Sequence, residues 1–170
     1  GLAVMEAIGF DFAHGRLDVS HHPFMGGVPR DIRMTTRYST AEFFSSLMGI
    51  IHETGHGLYE QGLPPEWSHW AVGKARGMSI HESQSLFVEK QIGRSSEFWE
   101  WAAPLVREHL GPDAIAGWDI DDLLLHVHEV KSGLIRVDAD EATYPLHVIL
   151  RFEIEKGLGE GTIKPRDVPE

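Results

Sequence analysis

His52-Glu53-Thr54-Gly55-His56 sets two imidazoles four residues apart, with a carboxylate beside the first. On a helix, positions i and i+4 share a face one turn apart, so both rings can reach one ion at about 2.0–2.1 Å. Glu53, rotated by one residue from His52, is placed to meet a water on that ion rather than the ion itself. This set suits metal-assisted hydrolysis, in which a cation polarises a carbonyl and acidifies water while the carboxylate carries the proton. The pattern alone is not decisive. The chain has 11 histidines, and a shuffled chain of this composition contains H-E-x-x-H with a chance of roughly 0.07. Cysteine is absent, so any metal must be held by His, Asp or Glu.

Such a site needs a third protein ligand and one open position. The pattern that continues to a third His would place it at residue 62, which is Gly62, so that arrangement is excluded. A carboxylate from a second helix is the remaining common solution, and His81-Glu82-Ser83-Gln84 offers Glu82. Glu82 has a second reading as the N3 member of a capping box opened by Ser79, worth about 1 kcal/mol of helix stability. At this level both readings stand open.

The elements that must position these residues follow from periodicity. Ser39 and Glu42 form a capping-box signature, and Phe44, Leu47, Met48, Ile51, Gly55, Leu58 and Tyr59 then recur at helical spacing until Gly62. The spacing predicts a helix over 40–61 with the H-E-x-x-H in its middle. Ser79 with Glu82 predicts another, running to Ile92-Gly93. Ser96–Ala103 reads as a helix interrupted by Pro104 and resumed at an angle over Leu105–Leu110. Asp119 caps a helix striped by Ile120, Leu123, Leu124 and Val127. After Asp140, the spacing of Leu146, Ile149, Leu150 and Phe152 predicts a long helix to Gly157.

Extended structure is expected near the N-terminus. Leu2–Ile8 reads as the end of a helix, after which Phe10, Phe12, Leu17 and Val19 are spaced by two around a turn at His14-Gly15, as in a strand pair or an extended loop. The His22–Pro29 stretch is broken by Pro and Gly, and Asp31–Arg37 alternates so that Asp31, Arg33 and Thr35 share one face of a strand. Leu134–Val137 is short and β-branched enough for another strand. The expected fold is mainly α, with a small antiparallel β-sheet beside the helix that carries His52 and His56. Trp67, Trp70, Trp99, Trp101 and Trp118 are expected to pack the helices together.

Composition narrows the partners. The 170 residues suffice for one compact domain with a hydrophobic core. With 15 Lys and Arg against 26 Asp and Glu, the net charge of −11 repels nucleic acid. No run reaches the roughly 18 apolar residues of a membrane helix, and Gly1–Glu6 lacks a basic targeting region. The expectation is a cytoplasmic protein with neither a nucleic-acid nor a membrane partner.

His22-Pro23-Phe24, Asp31-Ile32-Arg33-Met34-Thr35, His52-Glu53-Thr54-Gly55-His56, His81-Glu82-Ser83-Gln84 and Ile135-Arg136-Val137-Asp138-Ala139-Asp140 resemble the HPF, DxRxT, HExxH, HES/GQ and IRxxAD motifs of the M32 metallocarboxypeptidases, the carboxypeptidase Taq family. Five motifs in the family's order span most of the chain, a far more specific signal than H-E-x-x-H alone. The resemblance implies a zincin-like helical core. It implies His52, His56 and Glu82 as ligands of zinc or cobalt, with Glu53 as the catalytic carboxylate. It also implies a homodimeric, cytoplasmic enzyme that acts on peptides.

A carboxypeptidase needs a fixed cation for the substrate's terminal carboxylate, and Arg136 is the candidate, its alternative being an ion pair with Asp138 or Asp140. His22, Asp31 and Arg33 line the site on the resemblance; otherwise His22 ends a loop and Asp31 and Arg33 pair on the surface. His81 is expected either beside Glu82 as an outer hydrogen-bond partner or as an ordinary exposed histidine. Tyr144 and His147, about one turn apart, face either the cleft or the core. The rival readings are another metallopeptidase using the same ligands, such as an aminopeptidase, and a non-catalytic domain that binds metal or protein. Family members are about three times longer and carry a later GxxQDxHW-type motif. The 170 residues are therefore expected to be a single catalytic-core fragment, inactive alone, prone to self-association and weak in metal binding.

Overall fold

The computed structural model describes residues 1–39, 42–136 and 139–168. The chain divides into two compact units, Gly1–Leu124 and Leu125–Glu170. In the first unit a short helix α1 (Leu2–Ala7) leads through a tight turn at Phe12–His14 to a sheet of β1 (Gly15–Val19), β2 (Phe24–Val28) and β3 (Asp31–Thr36). The sheet order is β1-β3-β2. β2 and β3 are antiparallel across the Pro29-Arg30 turn, whereas β1 runs parallel to β3 with Gly15 opposite Ile32 and Val19 opposite Thr36.

The sheet is thus mixed rather than antiparallel, and Phe10–Val19 forms no hairpin. His14-Gly15 leads into β1 instead of reversing it, and the partner of β1 comes from the later β3. The Pro- and Gly-broken stretch before β3 supplies β2. β3 alternates as expected: Ile32, Met34 and Thr36 are buried, and Asp31, Arg33 and Thr35 lie on the other face.

The buried face of β3 packs on the central helix α2 (Phe43–Gln61). Met5, Phe10, Ile32, Met34 and Ile50 make one core cluster, edged by Leu17, Met25 and Leu58. α2 starts at Phe43 without a side-chain cap. Ser39 lies outside it, its backbone N–H donating to Ser46 Oγ, so the expected capping box and the start at residue 40 do not hold. Thr40 and Ala41 fall outside the described residues.

On the other side of α2 lie α3 (Met78–Leu86) and a π-helical turn (Phe87–Ile92) continuous with it. α3 begins after Gly77 at φ 99°, a left-handed conformation that favours glycine, and Ser79 makes no cap. The Ser79–Glu82 capping box is therefore absent, and the Glu82 carboxylate is not engaged in one. α4 (Ser96–Leu110) runs through Pro104 without a break. Ser95 Oγ accepts from the Phe98 N–H, and Trp99, Ala102, Ala103 and Val106 are buried along one face while Pro104 is exposed. On that side water can satisfy the carbonyl a proline leaves unpaired, which is why the helix tolerates it. Of the tryptophans, Trp99 is fully buried beside Phe44, and Trp118 stacks on the same ring; Trp67, Trp70 and Trp101 are exposed.

α5 (Ile120–Val127) is capped as the sequence suggests, with Asp119 and Asp122 each accepting the other's backbone N–H. In the second unit the main element is α6 (Tyr144–Glu160). It runs past Gly157, whose carbonyl accepts from the N–H groups of Thr162 and Ile163, and ends at Gly161. Leu146, Ile149, Leu150 and Phe152 recur as expected, yet all are exposed. Leu134–Arg136 is not a strand. It has no partner strand among the described residues, and Leu134 is 96% exposed. Val137 and Asp138 fall outside the described residues.

Asp140 ties this loop to the helix start. Its carboxylate accepts the N–H groups of Lys131, Ala142 and Thr143, which, against the opposing effect of burial, hold its pKa down at about 2.

Candidate metal centre

His52 and His56 lie on one face of α2, and Glu82 reaches them from α3. His56 Nε2 is 3.3 Å and His52 Nε2 3.8 Å from Glu82 Oε2, and the three ligand atoms lie within 4.8 Å of one another. Ligands at 2.0–2.1 Å from a tetrahedral cation are separated by about 3.4 Å, so Glu82 already stands near that spacing from both rings, and the widest separation in the set closes by at most about 1.4 Å around a zinc-sized ion.

The approach of the two helices depends on Gly55. A Cβ there would lie 2.6 Å from Ser85 Cα and 2.8 Å from the Gln84 carbonyl oxygen, both backbone atoms of α3. The glycine inside the H-E-x-x-H lets α3 come close enough for the Glu82 carboxylate to reach the rings. Thr54, beside it, is fully buried and spends its hydroxyl on the Ile50 carbonyl.

Outer carboxylates orient both rings. His52 Nδ1 is 2.9 Å from Glu89 Oε2, and Glu89 is itself 2.7 Å from Lys90 Nζ and 3.8 Å from Arg94. Burial opposes charge on His52, but the Glu89 hydrogen bond and the charges of Glu89, Glu82 and Glu53 outweigh it and raise its pKa. Burial likewise works to raise Glu89, yet the hydrogen bonds from His52 and Lys90, with their charges, bring it below its ordinary value. His56 Nδ1 lies 2.7 Å from His81 Nδ1, and His81 Nε2 lies 3.0 Å from Glu60 Oε1. These contacts leave both Nε2 atoms turned toward Glu82, the pattern by which a metal-binding histidine is held.

Glu53 is buried on α2. Desolvation raises its pKa, reinforced by the charge of Glu82 and opposed by His52, His56 and His22. His22 acts on Glu53 because its loop rests on α2, with Pro23 against Gly49. Its carbonyl, held by Ser20 Oγ and Thr35 Oγ1, fixes that loop to β3.

Asp31 and Arg33 instead bond each other through both oxygens, at 2.7 and 2.9 Å, on the exposed face of β3. That is the surface pair the sequence left open. Arg136 belongs to the second unit, where its Nη1 donates to the Tyr144 hydroxyl at 2.7 Å and its guanidinium sits over that ring. It does not pair with Asp140, whose carboxylate is spent on backbone N–H groups.

Sequence reasoning missed two residues, Glu60 and Glu89. Glu60 had a signal, because His52, His56 and Glu60 stand at i, i+4 and i+8 of one helix face. Glu89 had a weaker one in its seven-residue spacing from Glu82, obscured by the π-helical turn between them.

The Carboxypeptidase Taq (M32) metallopeptidase family matches residues 1–170. Thermostable carboxypeptidase 1 of Thermus thermophilus is 43% identical over 172 residues, covering 99% of this chain and 33% of that protein. Carboxypeptidase 1 of Bacillus subtilis is 41% identical over 169 residues, with 99% and 34% covered. Among solved structures, Trypanosoma cruzi metallocarboxypeptidase 1 superposes with a TM-score of 0.92 at 47% identity over 99% of this chain and 33% of that one. The chain spans about a third of the length of the curated relatives it matches. With its whole length matched by the family and by these relatives at about 40% identity, the chain belongs to the carboxypeptidase Taq (M32) metallopeptidase family.

Proposed function

We propose that this chain carries the catalytic core of a metal-dependent carboxypeptidase that removes C-terminal residues from peptides. The observation that carries the reading is the convergence of His52 Nε2, His56 Nε2 and Glu82 Oε2 beside the buried carboxylate of Glu53. His52, His56 and Glu82 hold a divalent cation, zinc or cobalt by donor type. Two neutral imidazoles and one carboxylate leave a fourth position open, as catalytic sites of this ligand class require. Once bound, the cation supplies positive charge that polarises the scissile carbonyl and acidifies water.

The remaining work falls to the chain's own groups. Glu53 takes a proton from the attacking water at a carboxylate oxygen and returns it to the departing amine nitrogen. Its raised pKa brings it nearer the range in which a carboxylate can do both. His22, which acts on Glu53 from its loop, lines the same side of the site. His81 orients His56. Arg136, whose guanidinium is steadied by Tyr144, takes the substrate's terminal carboxylate, for which its planar fork is suited. Asp31 and Arg33, bonded to each other, line the substrate side of the site on the strength of the family's motif alone. Family membership further suggests a homodimeric, cytoplasmic whole protein. No helix among the described residues is long and apolar enough to cross a membrane.

The test is release of the C-terminal residue from N-blocked dipeptides by the whole protein loaded with zinc or cobalt. Glu53→Gln is expected to retain the metal and lose at least about 10²-fold in turnover, since an amide keeps the shape but accepts no proton. A variant that binds metal and keeps more than about a tenth of the activity refutes the role given to Glu53.

A further inference from the structure

We propose that Glu60, through His81, sets the tautomer of His56 and thereby keeps its Nε2 open to the cation, so that Glu60 is a positioning residue of the metal centre two hydrogen bonds away from it. The inference rests on the proposed metal site and adds a residue and a direction to it. Three contacts in series carry it: Glu60 Oε1 to His81 Nε2 at 3.0 Å, His81 Nδ1 to His56 Nδ1 at 2.7 Å, and His56 Nε2 to Glu82 Oε2 at 3.3 Å.

A contact between two ring nitrogens is a hydrogen bond only if one of them holds a proton and the other is bare. Neither His56 nor His81 fixes that choice alone, and both are buried, so water does not settle it either. A carboxylate only accepts, so Glu60, at 3.0 Å, favours the proton of neutral His81 on Nε2, against the pull of Glu82, which lies farther off, at 3.3 Å from His56 Nε2, and also accepts from Ser85 Oγ. His81 Nδ1 is then bare and accepts from His56 Nδ1–H. His56 Nε2 is left with its lone pair facing Glu82. The reverse order puts a proton on His56 Nε2, where it bonds Glu82 and closes the site to a cation. Tyr59, edge-on to the His81 ring at 5.0 Å, keeps that ring in line between its two partners.

His52 reaches the same end by a single step, since its Nδ1 meets Glu89 directly. The two ligands thus differ in kind. One is set by an adjacent carboxylate, and the other by a carboxylate acting through an intermediate ring that has two allowed orientations of its proton.

Glu60→Gln tests this, because glutamine keeps the length and the hydrogen bond but can donate as well as accept. In metal-free protein labelled with 15N at histidine, wild-type His56 is expected to show a protonated Nδ1 and a bare Nε2. Glu60→Gln is expected to add a population with the proton on Nε2. Zinc or cobalt affinity, measured by chelator competition, should fall about tenfold, at the low end of what losing an outer partner costs. In a His81→Gln background, where an amide oxygen accepts from His56 without reference to residue 60, Glu60→Gln should change affinity less than twofold. A His56 tautomer and metal affinity unaltered by Glu60→Gln overturn the relay, as does an equal loss in the His81→Gln background, which would mean that Glu60 acts by its charge. If wild-type protein binds no metal through His52 and His56, the proposed metal site fails, and the tautomer measurement still decides the relay.

Discussion

Gly55→Ala adds one methyl group at the point where α2 and α3, which carry the His52, His56 and Glu82 cluster, meet. The new Cβ would sit 2.6 Å from Ser85 Cα and 2.8 Å from the Gln84 oxygen, against a comfortable carbon–carbon separation of about 3.5 Å or more. Both neighbours are backbone, so no rotamer change relieves the contact and α3 must retreat by about 1 Å. Glu82 lies on that helix three residues before Ser85 and moves with it. A 1 Å retreat is several times the roughly 0.2 Å that metal–ligand distances tolerate, and rotation about the glutamate side chain recovers part of it. Metal affinity is expected to fall about 10- to 100-fold.

Stability is the poorer readout, because Ala improves helix propensity by about 0.8–1 kcal/mol while overpacking costs about 1–3 kcal/mol. The two partly cancel, leaving a net cost between about 0 and 2 kcal/mol. Gly57→Ala is the control: its Cβ meets the side chains of Phe10 and Met34, which can shift, and metal affinity should stay within about threefold of wild type. Cobalt and zinc titrations against a chelator, with circular dichroism to verify the fold, make the measurement. A folded Gly55→Ala protein whose affinity is within twofold of wild type would refute the claim that this glycine sets the ligand geometry.

Three further outcomes are expected. Glu82→Gln should weaken metal binding while changing the thermal stability of the metal-free protein by less than about 0.5 kcal/mol, since its carboxylate caps nothing; unchanged affinity would remove Glu82 from the ligand set. In the whole protein, amidating the substrate's C-terminus should cost most of kcat/KM, and Arg136→Ala should erase that difference, because a neutral amide forfeits a charge-assisted pair only where the guanidinium is present; equal cleavage of both substrates by wild type would argue against a carboxypeptidase. Asp140, held at about 2 in the folded state against about 3.9 when unfolded, favours the fold fully above pH 4 and loses that effect as pH falls through 2. Amide exchange in the Lys131–Thr143 loop should therefore accelerate over that window, and Asp140→Asn should be fast already at neutral pH.

The helices were readable where one sequence segment holds its own helical spacing, as in α2, α5 and α6, although α6 runs past Gly157 to Gly161. What the sequence misjudged depended on partners remote in the chain. β1 looked like half of a hairpin because strand periodicity does not say which strand lies alongside, and its neighbour proved to be β3 in parallel. Ser39 and Ser79 matched a capping box by spacing, yet neither helix starts where those boxes require. Short polar patterns of this kind recur by chance, and packing overrides them. Pro104 was read as a break because local rules see the lost hydrogen bond but not the exposed side of α4 on which it falls.

The clustering of His52 and His56 was legible for the opposite reason, since their i, i+4 spacing turns sequence distance directly into spatial proximity. Glu82 could not be chosen from spacing alone, because its reach depends on how closely α3 lies against α2, and that is set by a missing side chain at Gly55. Glu89 lay further out of reach. A uniform α-helix from Met78 onward advances seven residues by nearly two turns, but the π-helical turn over Phe87–Ile92 alters the phase just where Glu89 comes round to His52. A π-helical turn widens the ring of atoms between hydrogen-bonded residues, which is costly in isolation and persists only where packing repays it. Here it brings a half-buried carboxylate, paired with Lys90 and Arg94, to the back of the His52 imidazole. The local irregularity that hid Glu89 from sequence reasoning is therefore the same feature that positions it.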